Sequence, residues 1–129
     1  MNFRKFISNA GTEILAGKSA SNNEELVSQI EKSEIVLHTD RPGSPFVNIK
    51  GKAKWGDVKF AALICARYSQ DWRDNKNDIL VHKFKGSDIY KRKGMKLGTF
   101  GVSKMKNIKV KKGDILKFIE NGTSTTPIR

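Results

Sequence analysis

The side chains able to do chemistry crowd into one short stretch, His38-Thr39-Asp40-Arg41-Pro42-Gly43-Ser44-Pro45. In an extended chain, residues two apart share a face, so His38 and Asp40 stand together. An imidazole beside a carboxylate suits acid–base chemistry or metal ligation. The rest of the chain completes neither. His82 is the one other histidine, and no Cys or carboxylate cluster has metal-ligand spacing. Ser44 lacks the strand–elbow–helix setting of an activated nucleophile. The stretch therefore reads as a rigid polar turn, with His38 satisfied at a strand end and Asp40 closing an Asx-type turn before Pro42-Gly43. Polar groups on a rigid turn beside a core make a binding site. No catalytic residue, metal or cofactor is expected. RNA processing through His38 and Asp40 is the enzymatic alternative.

The second chemistry is electrostatic. The 129-residue chain has net charge +12. Residues 1–40 carry 4 Lys and Arg against 6 Asp and Glu, whereas residues 41–129 carry 21 against 7. All the excess positive charge thus follows the turn, which favours a polyanionic partner. Lys83, Lys85, Lys91, Arg92, Lys93 and Lys96 cluster against a single acid, Asp88, and Lys104, Lys106, Lys109, Lys111 and Lys112 follow. Ile108 and Val110 alternate with Lys109 and Lys111, which would set an ammonium row on the outer face of a strand. Such a row matches a phosphate backbone, with binding driven by counterion release. The excess of lysine over arginine favours backbone contacts over base reading. The same lysines could instead guard sheet edges. Trp55 and Trp72, beside Lys54 and Arg73, are candidates for base stacking or for packing over helix ends. Phe84, Tyr90 and Phe100 read as core. Duplex DNA stays open as a partner.

These groups need elements to hold them. Phe3 to Ser8 and Thr12 to Ala16 read as a hairpin around Asn9-Ala10-Gly11. Ser21 and Glu24 fit a capping box that starts a helix running to about Glu31. Ile35-Val36-Leu37 is a continuous apolar run, as in a strand covered on both faces. Phe46 to Lys50 pairs with it, with Val47 and Ile49 on one face. Asp57 reads as the N-cap of a helix over 58–69, whose stripe is Phe60, Ala61, Ile64, Cys65 and Tyr68. Gln70 to Asn77 reads as polar loop and Ile79 to Phe84 as strand. Thr99 to Lys106, Ile108 to Val110 and Ile115 to Ile119 read as further strands. The sum is an α+β single domain, a mostly antiparallel sheet with two principal helices packed on one face. It occupies residues 1–120, with a flexible tail over 121–129.

Taken in order, Gly17-Lys18, Asn23-Glu24, His38-Thr39-Asp40, Pro42-Gly43-Ser44, the helix from Ala61-Ala62 to Tyr68-Ser69, and Lys93-Gly94-Met95 to Gly98-Thr99-Phe100 form a pattern. That pattern resembles the NFACT-R domain and runs from near the N-terminus to about Val110. The resemblance implies RNA binding. Multidomain relatives add NFACT-N, helix-hairpin-helix and coiled-coil segments. They act in ribosome quality control, on the large ribosomal subunit and tRNA. This sequence, with the NFACT-R part alone, resembles the small standalone archaeal members. The expected partners are therefore tRNA or rRNA, the large ribosomal subunit and a separate NFACT-N type protein. His38, Asp40, Arg41, Gly43 and Ser44 would form the signature site, supported by Asn23 and Glu24. The basic residues Lys83, Lys85, Lys91, Arg92, Lys93, Lys96, Lys109 and Lys111 would add phosphate contacts. The lone Cys65 can form no internal disulfide, and no apolar run reaches membrane-spanning length. A reducing, cytoplasmic location is the expectation.

Overall fold

The computed structural model describes residues 2–121. The elements in chain order are β1 (Arg4–Ile7), β2 (Glu13–Ala16), α1 (Ala20–Ser28), β3 (Ile35–Thr39), β4 (Val47–Ile49), α2 (Trp55–Arg67), α3 (Gln70–Asn75), β5 (Ile79–Lys85), a 3-10 turn (Gly86–Asp88), β6 (Ile89–Tyr90), β7 (Gly101–Val102), β8 (Lys106–Val110) and α4 (Lys112–Glu120). Six strands form one sheet in the order β1-β2-β4-β3-β5-β8, every neighbour antiparallel. β6 and β7 form a separate two-stranded ribbon. The chain is thus an α+β fold with an antiparallel sheet.

Strand alternation gives this sheet two covered faces. Ile14, Leu37, Val47, Ile49, Ile79 and Val81 point one way and pack against Val58, Ile64 and Cys65 of α2 and Ile115 of α4. Leu15, Val36 and Phe84 point the other way and meet Leu26 of α1, with Ile89, Phe100 and Val102 of the ribbon region against them. The apolar run of β3 is therefore buried on both sides: Val36 and Leu37 are each 0% exposed and lie in different clusters. Each such burial contributes about 1.5–3 kcal/mol relative to an exposed side chain.

Local details differ from the expectations. Ser19, not Ser21, caps α1, its hydroxyl accepting the Asn22 N–H at 3.1 Å. Asp57 is the third helical residue of α2, not its cap. It accepts the Lys54 N–H at 3.0 Å and ties in Ser8 and Thr12 of the first hairpin at 2.6 and 3.0 Å. Residues 70–75 form α3 instead of a loop, because the Ser69 hydroxyl caps the Trp72 N–H at 3.1 Å. Ile115 to Ile119 is helix, not strand. Ile115, Phe118 and Ile119 recur at helical spacing and face α2, while Leu116 stays exposed. The strand expected over 99–106 shrinks to Gly101–Val102. Trp72 is buried, Trp55 is 62% exposed and Tyr90 is 36% exposed. Of the expected tail, residues 122–129 lie outside the described residues.

Candidate functional site

Side-chain alternation sends His38 to the α1 side of the sheet, where β3 runs out into the turn. Cross-strand register places it directly opposite His82 of β5. Asp40 lies just past the strand, its N–H donating to the Leu80 carbonyl at 2.9 Å. Its carboxylate oxygen Oδ1 accepts from His82 Nε2 at 3.1 Å. The expected Asx turn is absent. Thr39 supplies that local bond instead, its hydroxyl donating to the Arg41 carbonyl at 2.6 Å. The sequence brought His38 and Asp40 together but missed His82. The signal was the alternation of Leu80, His82 and Phe84 against Ile79 and Val81.

The His38 imidazole donates from Nδ1 to the Thr39 carbonyl at 2.8 Å, since a carbonyl only accepts. Its ring centroid lies 4.5 Å from that of Phe46. Burial pushes its pKa down. The Thr39 carbonyl opposes that, the nearby His82 adds to it, and the Ser44 carbonyl opposes it. The net direction is downward, so His38 is neutral at neutral pH.

The turn itself is stapled from inside. The Ser44 hydroxyl, 7% exposed, accepts the Thr39 N–H at 3.1 Å and donates to the Pro45 carbonyl at 3.1 Å. Gly43 has φ +90°, and a Cβ there would sit 2.8 Å from the Gln70 Cβ. Only glycine lets its carbonyl reach the Gln70 N–H at 2.8 Å. Arg41 reaches out to Asp71 at 3.8 Å. Cys65 lies beneath the turn, fully buried, its thiol pushed up to about 12 by that burial. It is a core residue with no reactive thiolate.

Asn23 and Glu24 fasten the neighbouring pieces to the turn. Asn23 Oδ1 accepts the Phe46 N–H at 3.1 Å and occupies the space where a Cβ at Gly17 would be. The Gly17 N–H donates to the Phe46 carbonyl at 3.1 Å. Glu24 Oε2 accepts from the Gly98 N–H and from Lys91 Nζ, both at 2.7 Å. Those contacts hold its pKa below the ordinary value. The Lys91 ammonium also donates to the Lys96 and Thr99 carbonyls at 2.6 and 2.7 Å and lies 4.5 Å over the Phe100 ring. Lys91 therefore builds the 91–100 loop.

Between the turn, the start of α1, the end of α2 and the 97–105 segment lies a groove of about 620 Å³. His38, Asp40, Phe46, His82 and Phe100 line it, with Arg4, Lys18 and Arg73 among its cations. Arg4 is held in place by the Gly17 carbonyl at 3.2 Å and by the Tyr68 ring at 4.4 Å. Among the described residues, only Lys5, Arg41, Lys50 and Lys91 pair with a carboxylate. The other cations, exposed Lys18 and Arg73 included, leave a positive surface for an anionic partner.

The remaining basic candidates separate by position. Arg92, Lys93 and Lys96 are exposed on the loop leading to the groove. Lys109, opposite Leu80, lies on the groove side of the sheet. Lys83, opposite Leu37 and Lys106, points to the α2 side, and Lys85 shares that alternation. Lys111 is the N-cap position of α4. No group of three metal-ligating side chains occurs among the described residues, and no helix among them is long and apolar enough to cross a membrane.

The architecture is that of an α+β domain that opens a cation-bordered groove at one end of an antiparallel sheet. It is similar to the C-terminal part of the fibronectin/fibrinogen-binding protein from Streptococcus suis (FBPS), with a TM-score of 0.77 and 24% identity. The match covers 91% of this chain and 49% of that one, so the chain spans about half the length of that solved structure. No curated protein matches the sequence. Residues 2–104 match the family described as the NFACT protein RNA binding domain. The chain belongs to this family, and RNA binding is the role that membership gives it.

Proposed function

We propose that the chain is a non-catalytic module that binds structured RNA, tRNA or rRNA, through the groove and the basic loop beside it. Its setting is translation and ribosome quality control in the cytoplasm, with the large ribosomal subunit and a separate NFACT-N type protein as partners. The observation that carries the reading is the groove itself: polar and aromatic on its floor, bordered by Lys18 and Arg73, neither paired with a carboxylate among the described residues. Phosphates would displace counterions there, and the floor would meet what the backbone carries. RNA processing is a second reading, favoured by the opposed His38–His82 pair beside Asp40. Time-dependent cleavage or modification of bound RNA, abolished by His38→Ala, would establish it.

The test is fluorescence anisotropy with folded tRNA, unstructured RNA of equal length and duplex DNA, at low and physiological salt. Preference for tRNA that survives physiological salt supports the proposal. Equal binding to all three that vanishes with salt would reduce the protein to a basic surface and contradict it.

A further inference from the structure

The groove continues onto a part of the sheet that no helix among the described residues covers. Register aligns His38 of β3 with His82 of β5, and His82 with Asn107 of β8, in one cross-strand row. Directly paired residues share a face, so these polar side chains line up on the α1 side. The next row pairs Leu80 with Lys109. Leu80 is 36% exposed, and Asn107 and Lys109 are exposed, so this half of the face meets solvent. At the rim stand two further apolar side chains, Leu97 and Met105, 60% and 40% exposed. An open polar row between aromatic and aliphatic walls is suited to something flat, apolar on its faces and polar at its edge. The groove volume falls within the ~300–1,000 Å³ range of small-molecule sites.

The polar edge also has a sense. His82 donates to Asp40 Oδ1, while Asp40 Oδ2 makes no hydrogen bond among the described residues. A carboxylate only accepts. The open position therefore calls for N–H donors. Adenine, cytosine and guanine bring an exocyclic amino group. Uracil brings one N–H between two carbonyls, whose lone pairs would oppose the carboxylate.

Building on the RNA-binding reading, we infer that the groove takes one unstacked, amino-bearing nucleobase from an RNA loop or end. Its edge meets Asp40 beside His82, Phe100 and Leu97 flank its faces, and the adjoining phosphates run over Lys18, Arg73 and Lys109.

The test compares three labelled RNAs at physiological salt: a hairpin with an adenine and cytosine loop, the same hairpin with a uracil loop, and a blunt duplex of equal charge. The amino-bearing loop should bind about tenfold tighter than the duplex, the size expected for one stacked base. Asp40→Asn, which keeps the side-chain shape, should erase the preference over uracil. Phe100→Leu should erase the preference over duplex. The duplex affinity of each variant is the reference against which its loop preference is read. Equal affinity for all three RNAs overturns the base slot while leaving RNA binding intact. An unchanged loop preference in both variants does the same. Failure to bind any of the three overturns the RNA-binding reading and this inference with it.

Discussion

The two ends of β3 carry polar clusters on the same side of the sheet, and they are built in opposite ways. At the start, Glu34, Asn48, Lys50 and Gln29 form a closed network. Lys50 Nζ donates to Glu34, Gln29 and Asn48 side chains at 2.8, 2.7 and 3.2 Å. Gln29 Nε2 donates to Asn48 Oδ1 at 3.0 Å, and the Gly51 N–H to Glu34 Oε2 at 2.9 Å. Glu34 is 4% exposed and Asn48 0%. At the other end, His38, His82 and Asp40 are also mutually arranged, yet they line a groove, and Asp40 keeps an oxygen unused among the described residues. Satisfaction inside the fold marks a structural cluster, since a buried polar group left unpaired is costly. Partly used groups facing a cavity mark a place for a ligand.

Breaking the closed end should have the largest effect. Glu34→Ala leaves the Lys50 charge without its carboxylate and strands the Gly51 and Glu31 N–H groups, and it should lower the free energy of unfolding by about 3 kcal/mol. Denaturant titration measures this, and RNA affinity of the folded protein should be unchanged. If RNA binding collapses while stability holds, the roles of the two ends are reversed. Asn23→Ala comes next. It removes a buried acceptor from the Phe46 N–H and should cost about 1–3 kcal/mol. Because Asn23 also sets the groove wall, RNA affinity should fall with it, which the closed-end variant would not show.

The loop beside the groove offers the opposite signature. Replacing Arg92, Lys93 and Lys96 together by Ala should leave stability within about 0.5 kcal/mol. It should flatten the dependence of log affinity on log salt by about 2. Lys91 is left out because its ammonium holds Glu24 and the loop carbonyls. An unchanged salt slope would remove this loop from the binding surface.

Acidity separates the ends more gently. His38 is buried neutral, so its folded pKa lies below its ordinary value of 6.5. The unfolded chain then binds more protons, and stability falls as pH drops below that value. His38→Gln should remove this slope. Burial works to raise the Glu34 carboxyl, but the Gly51 N–H, the Lys50 ammonium and the Glu31 N–H outweigh it and hold the pKa below 4.5. Its stabilising effect persists until pH falls through the ordinary carboxylate range. Acid titration of unfolding should therefore show two windows, the higher belonging to the groove end.

Much of this layout was legible in the sequence where a pattern repeats. The first hairpin, the two-sided burial of Val36 and Leu37, and the α2 stripe each rest on several residues with one period. The turn was legible because Pro42, Gly43 and Pro45 restrict the backbone. What escaped depends on long-range register or on very short elements. His82 reaches Asp40 only because β5 pairs with β3 in one register. The burial of Asn48 follows from Gln29, just past α1, and Glu34 closing over it, which no local pattern announces. The α4 segment reads as strand because Ile115-Leu116 and Phe118-Ile119 look continuously apolar, although positions 115, 118 and 119 carry the helical spacing. Lys83 and Lys85 stand close in sequence to the loop cations, whereas the pleat sends them to the α2 side.

On the proposal made above, RNA meets the open end of β3 and the exposed half of the sheet beside it. The most direct measurement is an amide chemical-shift map of the labelled protein titrated with folded tRNA at physiological salt. The largest changes should fall on residues 17–19, 38–46, 80–82 and 97–109, with α2 and the Glu34–Lys50 network little affected. Changes concentrated on the outer side of α2 and α4, with the groove silent, would contradict it.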